Sequence, residues 1–185
     1  KYDISSIAVD QVTQGACCTA MVAHRYIDGE DPVLFVDSDN LFYSRVIRAF
    51  IADANERGLA GSLLTFPAND PSFSYVKLGE DGYAQETREK TVISNHGICG
   101  AYYFSRGADF VDASVRMMIY GDRQKNEYYM SNVYNYLIHD GLKIGVFEIL
   151  QEGFVCLGTP EQLQKYLETH QVDGCPGSVT DVVID

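Results

Sequence analysis

Cations are scarce in this 185-residue sequence: 14 Lys and Arg stand against 26 Asp and Glu, a net charge of −12. A surface that follows a phosphate backbone needs clustered Lys and Arg, so the charge argues against nucleic acid as a partner. A small phosphorylated ligand is not excluded, because a few placed cations and a metal suffice. Long apolar runs are missing too. No stretch approaches the ~18 residues of a membrane span, and no membrane partner is expected. No signal-peptide pattern is visible; the sequence starts at Lys1 rather than Met, which leads us to expect its true N-terminus upstream. No CxxC pair occurs among Cys17, Cys18, Cys99, Cys156 and Cys175. Their odd number and adjacent pair argue against a disulfide framework or a zinc site, and for buried free thiols in a reducing, cytoplasmic compartment. His24, His96, His139 and His170 are scattered without ligand spacing. Glycine loops that cradle phosphate are absent as well: there is no G-x-G-x-x-G and no G-x-x-x-x-G-K-[ST].

What is present suffices for a core. With 46% apolar residues, the chain is expected to form one globular domain over 1–185, with an irregular Gly, Pro and Ser-rich tail from 173 to 185. Ile4 to Val9 reads as a short strand, and Ala16 to Tyr26 as an apolar helix after Thr13-Gln14-Gly15. Val33 to Val36 reads as a buried strand. Leu41 to Arg57 has helical periodicity, with Val46, Ile47, Phe50, Ile51 and Ala54 on one stripe and Gly58 as its stop. Ser62 to Phe66 is a strand, and Tyr75–Leu78 with Tyr83–Glu86 is a hairpin around an Asp-Gly turn. Cys99 to Phe104 is a further strand. Helices near 108–120 and 127–140 follow, then a strand at 143–148. Thr159-Pro160-Glu161 opens a last helix with an N-cap and Pro at N1. This alternation predicts an α/β domain with a mixed, mainly parallel sheet and flanking helices.

Asp37-Ser38-Asp39-Asn40 is the most informative stretch. It ends the run Pro32-Val33-Leu34-Phe35-Val36 with two carboxylates, expected on opposite faces of the pleat. In an open α/β sheet, ligands collect outside the carboxyl ends of the strands. Two hard oxygen donors there suit Mg²⁺ or Mn²⁺ shared with phosphate oxygens.

Six signposts then occur in order across about residues 13 to 165. They are Thr13-Gln14-Gly15-Ala16, Val36-Asp37-Ser38-Asp39, Glu89-Lys90, Gly100-Ala101-Tyr102-Tyr103-Phe104, Asn126-Glu127-Tyr128-Tyr129 and Leu157-Gly158-Thr159-Pro160-Glu161. Together they resemble the nucleotidyltransferase family that makes NDP-sugars and CDP-activated headgroups on a GT-A-like α/β fold. The resemblance implies attack of a phosphate monoester on the α-phosphorus of a nucleoside triphosphate, with release of pyrophosphate. It assigns Gln14 and Gly15, with Asp37, to the nucleotide, and Asp39 to the metal, with Asp37 as a second candidate ligand. Lys90 matches the lysine at the acceptor phosphate, Glu89 lies beside it, and Gly100 and Glu127 match acceptor contacts. The partners implied are a nucleoside triphosphate and a small phosphorylated acceptor.

Two departures stand out. The family opens with a strand and a glycine-rich loop bearing Arg and Lys, and nothing here matches that segment. In this topology that strand lies inside the sheet, so an exposed strand edge is expected, covered by a missing N-terminal segment or by another chain. The family also often has a second metal-binding Asp just before the final Gly-Thr, where this sequence has Cys156, a poor ligand for Mg²⁺. Asp37, or a carboxylate such as Glu148, is a candidate substitute. Two other readings stay open: a GT-A glycosyltransferase in which Asp37-Ser38-Asp39 is the metal motif, and a non-catalytic nucleotide- or sugar-binding relative.

Overall fold

The computed structural model describes residues 3–169. Residues 3–13 form neither helix nor strand, so the strand expected at Ile4–Val9 is absent. Its apolar side chains stay largely outside the core: Ile4 is 84% exposed and Ile7 and Val9 each 44%. A lone strand leaves its N–H and C=O groups unpaired, and no neighbouring strand takes them up. The single helix expected over 16–26 is instead two short ones, α1 (Ala16–Met21) and α2 (His24–Ile27). Val22 and Ala23 bond three residues back, to Thr19 and Ala20, and this tightened turn ends α1.

Strand β1 (Val33–Val36) follows, then the short β2 (Asn40–Phe42), which occupies the start of the expected second helix. Helix α3 (Ser44–Glu56) buries Phe50 and Ala54, with Val46, Ile47 and Ile51 packed beside them. Gly58, at φ 60°, closes it: Gly58 N–H bonds Asn55 O and Leu59 N–H bonds Ala54 O, the Schellman arrangement. Next come β3 (Gly61–Pro67) and the expected hairpin, β4 (Ser74–Leu78) and β5 (Ala84–Arg88). Strand β6 (His96–Phe104), helix α4 (Gly107–Tyr120), helix α5 (Met130–His139) and β7 (Ile144–Glu148) complete the main layers. After β8 (Phe154–Cys156), helix α6 (Pro160–Thr169) starts from a reciprocal cap between Thr159 and Gln162. The tail expected from 173, with His170 and Cys175, lies outside the described residues.

The main sheet runs β5-β4-β6-β3-β7, with β1 also paired to β6; β2 and β8 form a separate ribbon. The mixed α/β class and the flanking helices hold, but the pairing is not mainly parallel. Among the described residues only β3–β7 is a parallel pair; β1–β6, β3–β6, β4–β6 and β4–β5 are antiparallel. The reason is where β6 lies. Strands β1, β3, β4 and β7 all point one way, and β6 inserts among them in the opposite sense. Helix–strand alternation announces the common direction but not the interposed strand.

β6 also divides the core. Ile98, Tyr102 and Phe104 face α1, α4 and α5, while Cys99, Ala101 and Tyr103 face α3 and β8. On the first side Tyr134 stacks on Phe104 at 4.6 Å, and its hydroxyl donates to Tyr103 O at 2.9 Å. Cys17 is buried there and donates to Ser114 Oγ. Strand β1 pairs only with β6, so its other edge is unpaired among the described residues. Among the described residues, no helix is long and apolar enough to cross a membrane.

Candidate functional site

One edge of β6 serves two strands. β1 pairs with Ala101–Phe104, whereas β4 starts at Ser74 against Ile98. Cys99 and Gly100 lie in the gap between them. There the register against β3 also slips, between the pairs Leu63–Tyr102 and Thr65–Ile98. A cleft of about 550 Å³ opens at this gap, lined by Asp37, Asp39, Ser74, Glu89, Lys90, Gly100, Tyr102, Tyr129 and Cys156 among others.

Asp37 follows directly on β1, and its N–H donates to Gly100 O at 2.8 Å. Gly100 has φ 80°, and a Cβ on it would lie 2.5 Å from both Asp37 Oδ2 and Asn40 Nδ2. The glycine thus makes room for the carboxylate and amide that lie over it. Burial pushes the Asp37 carboxyl up to about 6, and the nearby charges of Asp39 and Glu89 add to that. The expectation that Asp37 and Asp39 fall on opposite faces fails, since residues two apart share a face of a pleat and neither lies within the strand. The strand ends at Val36, Asp39 sits in the turn that follows, and both residues line the same cleft.

The ribbon brings Asp39 to the end of the chain's motif series. Asn40 pairs with Cys156 across β2–β8, and Leu157 N–H donates to Asp39 O at 2.7 Å. A Cβ on Gly158 would lie 2.7 Å from Asp39 Oδ2. The Leu157-Gly158-Thr159 segment therefore rests against the carboxylate. Cys156 stands beside it with its thiol towards Gln162 Oε1. Glu148, the other candidate carboxylate, pairs with His96 at 2.6 Å and does not line the cleft.

Glu89 and Lys90 form the turn after β5. Glu89 is buried, and its carboxylate accepts from the hydroxyls of Ser74 and Ser131. Gln124 Oε1 accepts its N–H. Lys90 holds φ 49°, a region uncommon for residues other than glycine. Its Nζ lies 5.5 Å from the centroid of the Tyr129 ring.

Gln14, Gly15 and Glu127 form a second group that does not line the cleft. Gly15 has φ 113°, and a Cβ on it would meet Tyr128 O at 2.6 Å and Tyr128 N at 2.8 Å. Tyr128 N–H donates to Gln14 O, Cys17 N–H donates to Tyr128 O, and Arg123 donates to Gln14 Oε1 at 2.6 Å while lying over the Tyr128 ring. The sequence pattern places Glu127 in the first turn of a helix, but α5 begins at Met130. Glu127 instead closes a tight turn with Gln124, each bonding the other's backbone. Tyr129 joins the two groups: it lines the cleft, and burial and its hydrogen bond to Glu127 push its phenol up to about 12.

The donor set bears on a metal. Among the described residues, no three His, Cys, Asp or Glu side chains gather to form a site. Asp37 and Asp39 nonetheless fit Mg²⁺ or Mn²⁺, which needs only one or two carboxylates when phosphate oxygens and water complete the shell. Crowding among Asp37, Asp39 and Glu89 is what a divalent cation relieves. Local patterning does not point to Ser74 or Ser131. Their roles depend on β6 and α5, far away in sequence, and no motif marks them.

Neither a protein-family model nor a curated protein sequence matches the chain. Solved structures do. The nucleoside-diphosphate-sugar pyrophosphorylase of Vibrio cholerae RC9 superposes with a TM-score of 0.68 at 21% identity, over 86% of this chain and 67% of that one. A protein described as a glucose-1-phosphate thymidylyltransferase from Bacillus anthracis gives 0.66 at 18% identity, over 91% and 65%. The inositol-1-phosphate CTP transferase of T. maritima gives 0.62 at 14%, over 84% and 60%. The chain spans about two thirds of the length of these structures. What it shares with them is architecture, and that architecture is the nucleotidyltransferase fold.

Proposed function

We propose that this chain carries the metal corner and the acceptor side of a nucleotidyltransferase acting on a sugar phosphate or similar small phosphorylated acceptor. The observation that supports this most is the meeting of Asp37, Asp39, Glu89, Lys90 and Gly100 in one cleft of that fold. An acceptor phosphate oxygen attacks the α-phosphorus of a nucleoside triphosphate. The new O–P bond forms as the bond to the bridging oxygen breaks, and pyrophosphate leaves with that oxygen. Lys90 holds the acceptor phosphate and Glu89, fixed by two serines, faces its hydroxyls. Glu127 is a further acceptor contact, Gly100 allows close approach, and Gln14 and Gly15 lie towards the base. A Mg²⁺ or Mn²⁺ held by Asp39 with Asp37 would supply charge neutralisation on the triphosphate. The unpaired edge of β1 is covered by additional chain in the working protein, either an N-terminal segment or a second polypeptide.

Pyrophosphate release from a panel of nucleoside triphosphates and sugar phosphates tests this, using the full-length protein with added Mg²⁺. Turnover that is lost with EDTA and with Asp39→Ala supports the proposal. Release of a nucleoside diphosphate from an NDP-sugar instead overturns it in favour of glycosyl transfer. Cys156 beside Asp39 favours one second reading, a relative that binds nucleotide without turnover; binding without pyrophosphate release under every condition would establish that reading.

A further inference from the structure

Lys90 lies in a cleft with three carboxylates, yet among the described residues no carboxylate forms an ion pair with it. Each neighbour is occupied otherwise. Glu89, next in sequence, accepts hydrogen bonds from Ser74 and Ser131. Asp37 lies over Gly100, and Asp39 against Gly158. The group that meets the ammonium is the face of Tyr129. A ring face attracts a cation without neutralising it, so the charge stays available to an incoming anion. A carboxylate in that place would have to be displaced first.

Tyr129 is itself held. It stands at the start of α5, directly before Met130 and two residues after Glu127, which closes the turn with Gln124. Gln124 also bonds the backbone of Glu89 in both directions, so one residue ties the Lys90 turn to the Tyr129 turn. Lys90 in turn occupies a left-handed backbone conformation, which sets the direction in which its side chain leaves the chain.

We infer that Tyr129 is a positioning residue for Lys90: its ring holds the ammonium towards the cleft, unpaired, to receive the phosphate of the acceptor. This deepens the function proposed above and rests on it for the identity of the anion. The holding itself is independent of that reading.

The test replaces position 129 in the full-length protein with phenylalanine and with its mono-, tri- and pentafluorinated forms, which keep the size of the ring while weakening its negative face. A further variant, Tyr129→Leu, removes the ring. The first readout needs no turnover: the ¹³C NMR signal of dimethylated Lys90, assigned by its loss in Lys90→Arg. A ring-current shift present with tyrosine and phenylalanine but absent in Tyr129→Leu supports the inference. An unchanged Lys90 signal in Tyr129→Leu overturns it. Should Tyr129→Leu fail to fold, the fluorinated series decides alone, through a graded change in the Lys90 signal or none. The second readout is kinetic. The KM for the phosphorylated acceptor should rise by about 2- to 5-fold along the series, with a smaller effect on kcat, and the trend should vanish in Lys90→Ala. A trend that persists in Lys90→Ala means the ring acts by itself and overturns the positioning role. Absence of any turnover in the parent protein overturns the proposed reaction only, and the Lys90 signal still decides the inference.

Discussion

Gly100 and Asp37 meet twice: the Asp37 N–H donates to Gly100 O at 2.8 Å, and the Asp37 carboxylate lies 2.5 Å from where a Gly100 Cβ would be. A glycine that the resemblance assigns to the acceptor is thus also what seats Asp37, the carboxylate proposed for the metal side. Gly100→Ala must adopt φ 80° and push Asp37 and Asn40 aside. We expect a stability loss of about 1–2 kcal/mol from the backbone alone, read by urea denaturation. Metal-dependent activity should fall by more than that stability loss explains.

Asp37→Asn should act in the opposite direction on stability. The folded Asp37 carboxyl is raised from 3.8 to about 6, so the fold prefers it protonated. The stability this lends is fully present below pH 3.8 and is lost as pH rises through about 6. In EDTA at alkaline pH, Asp37→Asn should therefore stabilise the protein by about 1–2 kcal/mol, discounted for partial exposure. The gain should disappear in acid. Equal or lower stability of the variant in alkaline EDTA would show that neither burial nor the neighbouring carboxylates penalise the ionised Asp37.

Cys156→Asp places a carboxylate beside Asp39, where the resembling family often has one. Mn²⁺ affinity, measured by calorimetry or electron paramagnetic resonance, should tighten by about tenfold. Metal-free thermal stability should drop, because a further negative charge joins Asp37, Asp39 and Glu89. Unchanged Mn²⁺ affinity would remove Asp39 from the metal site.

Gly15→Ala should cost more than Gly100→Ala. Its Cβ would meet the Tyr128 backbone on both its N and O atoms, and backbone cannot rotate away. The bonds Tyr128 N–H to Gln14 O and Cys17 N–H to Tyr128 O would both be lost or stretched. A loss of about 2–4 kcal/mol is expected in chemical denaturation.

Features set by near neighbours are legible in the sequence. The α3 stripe of Phe50 and Ala54, its stop at Gly58, the Asp-Gly hairpin and the Thr159 cap all follow from residues a few positions apart. The apolar run at Ile4–Val9 misleads for the same reason: its pattern is that of a strand, but pairing needs a partner, and none among the described residues provides one. Glu127 misleads differently. A carboxylate before a helical pattern reads as a first-turn residue, whereas the Gln124–Glu127 turn delays the helix to Met130.

The chemistry on offer is written in the chain itself: two carboxylates after a strand, a Glu-Lys pair, glycines at Gly15 and Gly100, and a cysteine where an aspartate is common. Which of these groups face one another is settled by strand pairing. β6 is the reason, since it runs against its neighbours and leaves Cys99 and Gly100 outside the ladders of both strands where β1 stops and β4 begins. Side-chain type is specified residue by residue, but a gap between two strands on one edge exists only once three distant segments have paired.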